Sequence, residues 1–220
     1  MRRRTLAKLG GLIAAAAFAM TLAAPSAFAA KGIVKIHEGD WTGNLINVKL
    51  AELILKEHMD YKVKTIFLPA GPAVFEAILA DEIDIAFEFW PSYNPTKGEF
   101  FTKWGGDGSI EYISEMGIVG QSGWYVPRYV IEGDTERGIA AAAPDLKSWK
   151  DLDQYKGIFS APETAPSGRL LACPVAAWQC GDVERVKGLN LDYKTVELGS
   201  ETAHWAELEG AYKRGEPILI

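Results

Sequence analysis

Enzyme signatures are scarce in this chain of 220 residues. It has no G-x-S-x-G nucleophile elbow, no H-E-x-x-H pair and no G-x-x-x-x-G-K-[ST] loop. That argues against a secreted hydrolase. Histidine is rare as well: His37, His58 and His204 are the three, far apart in sequence. His37, Glu38 and Asp40 offer a possible cation turn, although an isolated oxygen-rich turn is ordinarily just solvated. Ser167, between Pro166 and Gly168, has no histidine beside it and reads as a turn residue. Positive charge is in deficit, with 23 basic against 29 acidic residues. No basic stripe appears, so phosphate backbones are repelled and nucleic-acid binding is excluded. Beyond the first thirty residues there is no second long apolar run. No cofactor is implied.

The first thirty residues carry an address. Arg2, Arg3, Arg4 and Lys8 form a positive start, Leu9 to Leu22 an apolar run, and Ala27-Phe28-Ala29 a small-residue cleavage site. This pattern predicts a secretory signal peptide over residues 1–29, cut after Ala29. The run is short of the ~20 residues that span a bilayer. No cysteine lies at the cut, which argues against a lipid anchor. A periplasmic chain of about 190 residues is expected, long enough for one domain or two small lobes. All four basic residues of the signal are lost on cleavage, so the mature chain is more acidic still. In an oxidising compartment Cys173 and Cys180 are expected to pair, the alternative being two buried thiols.

The mature chain opens as strand (33–36), helix (to about His58, with Thr42 or Asn44 as cap), strand (61–68), helix (73–80) and strand (83–89). That β-α-β-α-β order predicts a parallel sheet. Leu45, Val48, Leu53 and Ile54 are expected on the buried face of the first helix, and Val74, Ile78 and Leu79 on that of the second. Gly105, Gly106 and Gly108 mark a loop. Strands are expected at 112–119, 124–130, 157–161 and 193–198. A partial helix is expected over 169–178, a short helix capped by Ser148, and a helix over 201–214 with Trp205, Leu208 and Tyr212 inward. A boundary near Gly117–Gly123 divides residues 30–119 from 120–220. The sequence ends on the apolar strand Pro217-Ile218-Leu219-Ile220, which reads as the start of an unfinished, unprotected sheet edge and so as a truncated chain.

Tryptophan is abundant, with seven. Trp41 and Trp90 follow the first and third expected strands, at the sheet end where ligands of parallel sheets bind. Trp178 lies between the two cysteines. Most tryptophans simply pack. Ring faces at a strand-end crevice, however, suit a cation without hydrogen-bond donors, each adding ~0.5–2 kcal/mol. Glu88 shares strand parity with Trp90 and would add negative potential. The turn Asp40-Trp41-Thr42 leads into a helix N-terminus, which favours an anion such as a ligand carboxylate.

Four stretches together resemble the glycine betaine/proline betaine/choline-binding proteins of ABC transporters. They are Gly39-Asp40-Trp41-Thr42-Gly43-Asn44; Ile83-Asp84-Ile85-Ala86-Phe87-Glu88-Phe89-Trp90-Pro91; Cys173-Pro174 through Trp178-Gln179-Cys180; and Ala211-Tyr212-Lys213-Arg214-Gly215-Glu216-Pro217. The resemblance implies an α/β, two-lobed periplasmic binding protein (type II-like), with parallel or mixed sheets flanked by helices. It would close like a hinge on a quaternary amine, act as a monomer and deliver its ligand to a membrane permease. Trp90 and Trp178 match two tryptophans of the family's aromatic cage, and the Asp40-Trp41-Thr42 turn matches a ligand-contacting region. The cysteine loop is slightly longer than the nearest family pattern. After Gly-Glu-Pro the family continues with a further cage aromatic and a return segment. On that comparison the first lobe here would be incomplete. An amino acid or sulfonate in the same fold is the competing ligand class. A Trp-rich carbohydrate module would be all-β and lack the β-α-β-α-β opening.

Overall fold

The computed structural model describes residues 31–90, 96–175 and 178–220. The expected signal peptide lies outside the described residues, as do Pro91 and the Ala176-Ala177 pair of the cysteine loop. Residues Ile33–Ile220 form one compact unit. No helix among the described residues is long and apolar enough to cross a membrane.

The opening of the chain folds as its periodicity demands. Strand β1 (Ile33–Glu38) and strand β2 (Lys62–Phe67) pair in parallel, from Ile33 opposite Lys62 to Glu38 opposite Phe67, with helix α1 (Thr42–Glu57) as the crossover. Helix α2 (Pro72–Leu79) follows, with proline in its first turn, where the missing N–H costs nothing. The chain then returns along the other edge of β1. There the expected third strand shrinks to a single parallel bridge, Ile36 to Ile85. The His37 amide donates to the Ile85 carbonyl at 2.9 Å, and the Asp84 amide to the Lys35 carbonyl at 2.8 Å. Pairing ends there because Glu88 adopts a left-handed φ of 58°, which takes the chain out of extended geometry.

Between two neighbours β1 is covered, and Ile36 and His37 are buried with Val48 of α1 and Ile83. The broad apolar face expected on α1 is not covered. Val48 is buried, but Leu45, Leu53 and Ile54 stand exposed, with Ile46 63% exposed. On α2 the inward residues are Val74, Phe75 and Ala77, while Leu79 is exposed rather than inward. Phe75 seeds an aromatic cluster with Phe89, Phe100 and Phe101, its ring centroids 5.4–5.8 Å from theirs. Trp104 stands edge-on to Tyr112 at its margin. Short turns α3 (Lys97–Phe100) and a 3-10 turn (Thr102–Trp104) carry it, and Gly105 closes them in the left-handed region at φ 91°.

The second half repeats the parallel theme. Strand β3 (Gly168–Leu171) pairs with β4 (Tyr193–Val196), with the short helix α6 (Asp182–Gly188) between them in sequence. A strand therefore occupies the start of the stretch expected to be helical, and the expected strand at 157–161 is a turn. The run Leu170-Leu171 is almost wholly buried, as a central strand requires, and periodicity alone does not separate such a run from a helix. Gly168 admits the Tyr193 ring, with which a β-carbon there would collide. The strands expected at 112–119 and 124–130 are absent. Ile113 and Val119 are exposed, and Arg128–Glu132 forms helix α4 instead. Strand propensity without a partner edge does not make a strand. The Ser148 cap is present, as a capping box with Asp151 ahead of a 3-10 turn (Trp149–Asp151) and helix α5 (Leu152–Tyr155).

Helix α7 (Glu201–Arg214) is capped by Ser200, whose Oγ accepts from the Ala203 amide, and is ended by left-handed Gly215. It buries His204 and Ala211. Trp205 and Tyr212, expected inward, are half exposed. The last residues are not an open edge. The Leu171 amide donates to the Leu219 carbonyl at 2.9 Å, and Tyr125 and Ile220 exchange two backbone bonds at 2.7 and 3.0 Å. Ile218 and Leu219 are buried. The segment is therefore bonded to β3 through Leu219 and to the Tyr125 segment through Ile220.

Candidate functional site

The site is built from the turn after β1. A β-carbon at Gly39 would collide with the Trp41 ring, so only glycine lets the indole fold back over the turn. Neither Thr42 nor Asn44 caps α1, contrary to the sequence expectation, because the N-cap position falls on Trp41, which makes no side-chain cap. Asn44 is buried instead. Its Oδ1 accepts from the Gly39 amide at 2.6 Å and its Nδ2 donates to the Phe87 carbonyl at 3.3 Å, tying the turn to the segment that carries Glu88.

Glu88 turns back onto α1. Its carboxylate accepts from the Trp41 indole Nε1 and from Asn47 Nδ2. Gly43 makes room for it, since a β-carbon there would meet Glu88 Oε1 at 2.9 Å. These bonds hold Glu88 in its left-handed conformation, an uncommon one for a residue with a β-carbon.

Trp178 arrives from the other half of the chain. Cys173 and Cys180 are disulfide-bonded around it. Its indole Nε1 donates to Asp40 Oδ1 at 3.0 Å, and its ring meets Trp41 edge-on, with centroids 6.2 Å apart. Asp182 anchors the loop, accepting from the Cys173 amide and the Trp124 indole. Of the six residues singled out in the sequence, Asp40, Trp41, Thr42, Glu88 and Trp178 come together. Trp90 packs over Gly120 and makes no ring contact with Trp41 or Trp178 among the described residues. Two clefts among the described residues are lined by none of these five side chains. One of about 460 Å³ flanks the disulfide at Val175, Gln179 and Glu197, and one of about 240 Å³ lies between Arg169, Glu207 and Arg214. Neither has opposed aromatic faces in its lining.

One residue bonded to this turn carries no signal in the sequence. Glu201, in the first turn of α7, places Oε2 at 2.8 Å from both the Thr42 amide and the Thr42 Oγ1. Burial raises the Glu201 pKa, but the bonds from Thr42 and the Trp205 indole outweigh it and hold the group below its ordinary value. A glutamate opening a helix ordinarily reads as complementing its own dipole, so nothing local distinguishes this one.

His37 lies 6.3 Å from Trp41. Its Nε2 donates to the Leu68 carbonyl at 2.9 Å, which leaves a buried, unpartnered Nδ1. Burial lowers its pKa from 6.5, against the opposing pull of the Leu68 bond and of Asp40 and Glu38. Burial also lowers that of His204. The unfolded chain therefore takes up protons first as pH falls. This stability is complete above the unfolded pKa and is lost on acidification through the folded one. The unfolding midpoint is expected to fall from about pH 7 to about pH 5.5, and His37→Gln should flatten the slope. Melting curves across that range check it; a midpoint that rises on acidification would contradict the buried neutral imidazole. Among the described residues no group of three or more His, Cys, Asp or Glu is placed to hold a metal ion.

Two parallel sheets flanked by helices, with a polar-aromatic cluster joining the turn after β1 to a loop after β3, make an α/β protein of the kind that binds ligands at its strand ends. The profile of the substrate-binding domain of ABC-type glycine betaine transport systems (OpuAC) matches residues 32–220. The chain belongs to this family, whose members are two-lobed periplasmic binding proteins that take a small-molecule ligand and serve an ABC permease.

Proposed function

We propose that the protein captures a quaternary amine osmolyte of the glycine betaine, proline betaine or choline type in an aromatic cage, and performs no catalysis. The observation that carries this reading is the Trp41–Trp178 pair. Each indole N–H is held by a carboxylate, Glu88 for Trp41 and Asp40 for Trp178, which polarises the rings and adds negative potential beside them. A quaternary nitrogen offers no donor, so ring quadrupoles and nearby anions are the forces that recognise it.

On this reading residues 30–119 and 120–220 are the two lobes, with the joint at Gly117–Gly123. Trp90 rests on Gly120 at that joint, in the same lobe as Trp41, so lobe closure would bring Trp178 of the other lobe toward it. Gly117, with φ 79°, has the backbone freedom such a joint needs. The protein would act as a monomer in the periplasm after removal of residues 1–29.

Calorimetry with choline, glycine betaine, alanine, taurine and 3,3-dimethylbutanol, the uncharged analogue of choline, tests the reading. Saturable binding of the quaternary amines and none of the uncharged analogue is expected. Binding of alanine or taurine alone would assign the site to an amino acid or sulfonate instead.

A further inference from the structure

We propose that Glu201 is a specificity-determining residue: its carboxylate occupies the N-terminus of α1 and excludes ligands that bring a carboxylate of their own. The cage would then favour quaternary amines with an uncharged far end, as in choline, over betaines. The inference rests on the quaternary-amine reading above and refines it.

Helix α1 has sixteen residues, no acidic residue in its first turn and no side-chain cap. Its positive end is thus left unanswered by local sequence, and a free anion would be drawn to it. Glu201 answers it from 159 residues away, with one oxygen taking both the amide and the hydroxyl of Thr42. A ligand carboxylate seeking the same amide must displace a group that is covalently part of the protein and already in place. It must also approach Asp40 and Glu88, which hold the indoles of Trp178 and Trp41. Among the described residues none of these three carboxylates is paired with a lysine or arginine. The side-chain charge carried by these three groups at the indole pair and the adjoining turn is therefore negative. It attracts the ammonium of any quaternary ligand and repels the carboxylate of a betaine, a like-charge penalty that specific sites use against wrong partners.

The test is calorimetry on the full chain with choline, glycine betaine and glycine betaine methyl ester, in the native protein, Glu201→Gln and Glu201→Ala. The native protein is expected to bind choline and the ester at least about tenfold tighter than glycine betaine. In Glu201→Ala the helix end is vacated, and the preference should fall about tenfold or more, with glycine betaine gaining and choline losing. Glu201→Gln keeps the size of the side chain and should lie between. The ester comparison in the native protein needs no variant to fold. If native protein binds glycine betaine as well as the ester, or if folded Glu201 variants keep the native preference, Glu201 is only a structural tie. If the native protein binds no quaternary ligand, the cage reading falls and this inference with it.

Discussion

Trp178→Ala is expected to weaken quaternary amine binding by about a hundredfold. The ring contributes ~0.5–2 kcal/mol of cation attraction, more when desolvated, and its removal also takes away contact area at the centre of the site. About 2.7 kcal/mol in total corresponds to that factor. Asp40 would lose its indole donor at the same time and become free to reorient. Trp41→Ala should behave alike, since Glu88 loses its indole donor there. Leucine at either position restores apolar area without the quadrupole. Trp178→Leu and Trp41→Leu should therefore bind choline and its uncharged tert-butyl analogue with similar weak affinity. Trp90→Leu joins the series, because closure would bring Trp178 within reach of Trp90. Trp149→Phe, exposed and away from the indole pair, is the control and should change nothing measurable. The comparison is calorimetric. If the leucine variants discriminate charged from uncharged ligand as the native protein does, the cage is wrong.

Replacing both Cys173 and Cys180 with serine is expected to cost about 2.5 kcal/mol of stability, from the loop entropy returned to the unfolded chain. The loop spans a sequence separation of 7. A second effect should accompany the first. Trp178 would lose the ring that confines it, and choline affinity should drop several-fold even where the protein remains folded. Urea unfolding measures the first effect and calorimetry the second. Thiol titration of the unfolded, unreduced native protein should find no free thiol. Unchanged stability in the double serine variant would show that the bond constrains little, and unchanged affinity that Trp178 is positioned by Asp40 alone.

Much of the candidate cluster is legible in the amino-acid sequence. Tryptophans placed after strands and inside a cysteine pair point to a strand-end crevice, and Asp40, Trp41, Thr42, Glu88 and Trp178 do meet. The pairing of these residues is not legible. Strand-end placement makes Trp41 and Trp90 equivalent, yet it is Trp41 that touches Trp178, while Trp90 lies on Gly120. The helix N-terminus at Thr42 suits a ligand anion, and Glu201 already sits there.

The sequence by itself determined the elements whose signals are local. The β1-α1-β2 opening follows from periods of 2 and 3.6, the span of α7 from the helix expected over 201–214, and the disulfide from two cysteines in a chain that reads as secreted. Only the tertiary structure decided which strands found an edge and which side chains found each other. Residues 112–119 have strand composition but no partner, whereas Leu170-Leu171 became a strand because β4 and the Leu219 segment lie on either side. Trp205 has a core residue's composition and half a surface residue's exposure, because α7 turns His204 and Ala211 inward. Glu201 and Thr42 stand 159 residues apart. The attraction between a carboxylate and a helix N-terminus depends on distance in space, and many of the chain's carboxylates could have supplied it. Folding brought this one within 2.8 Å.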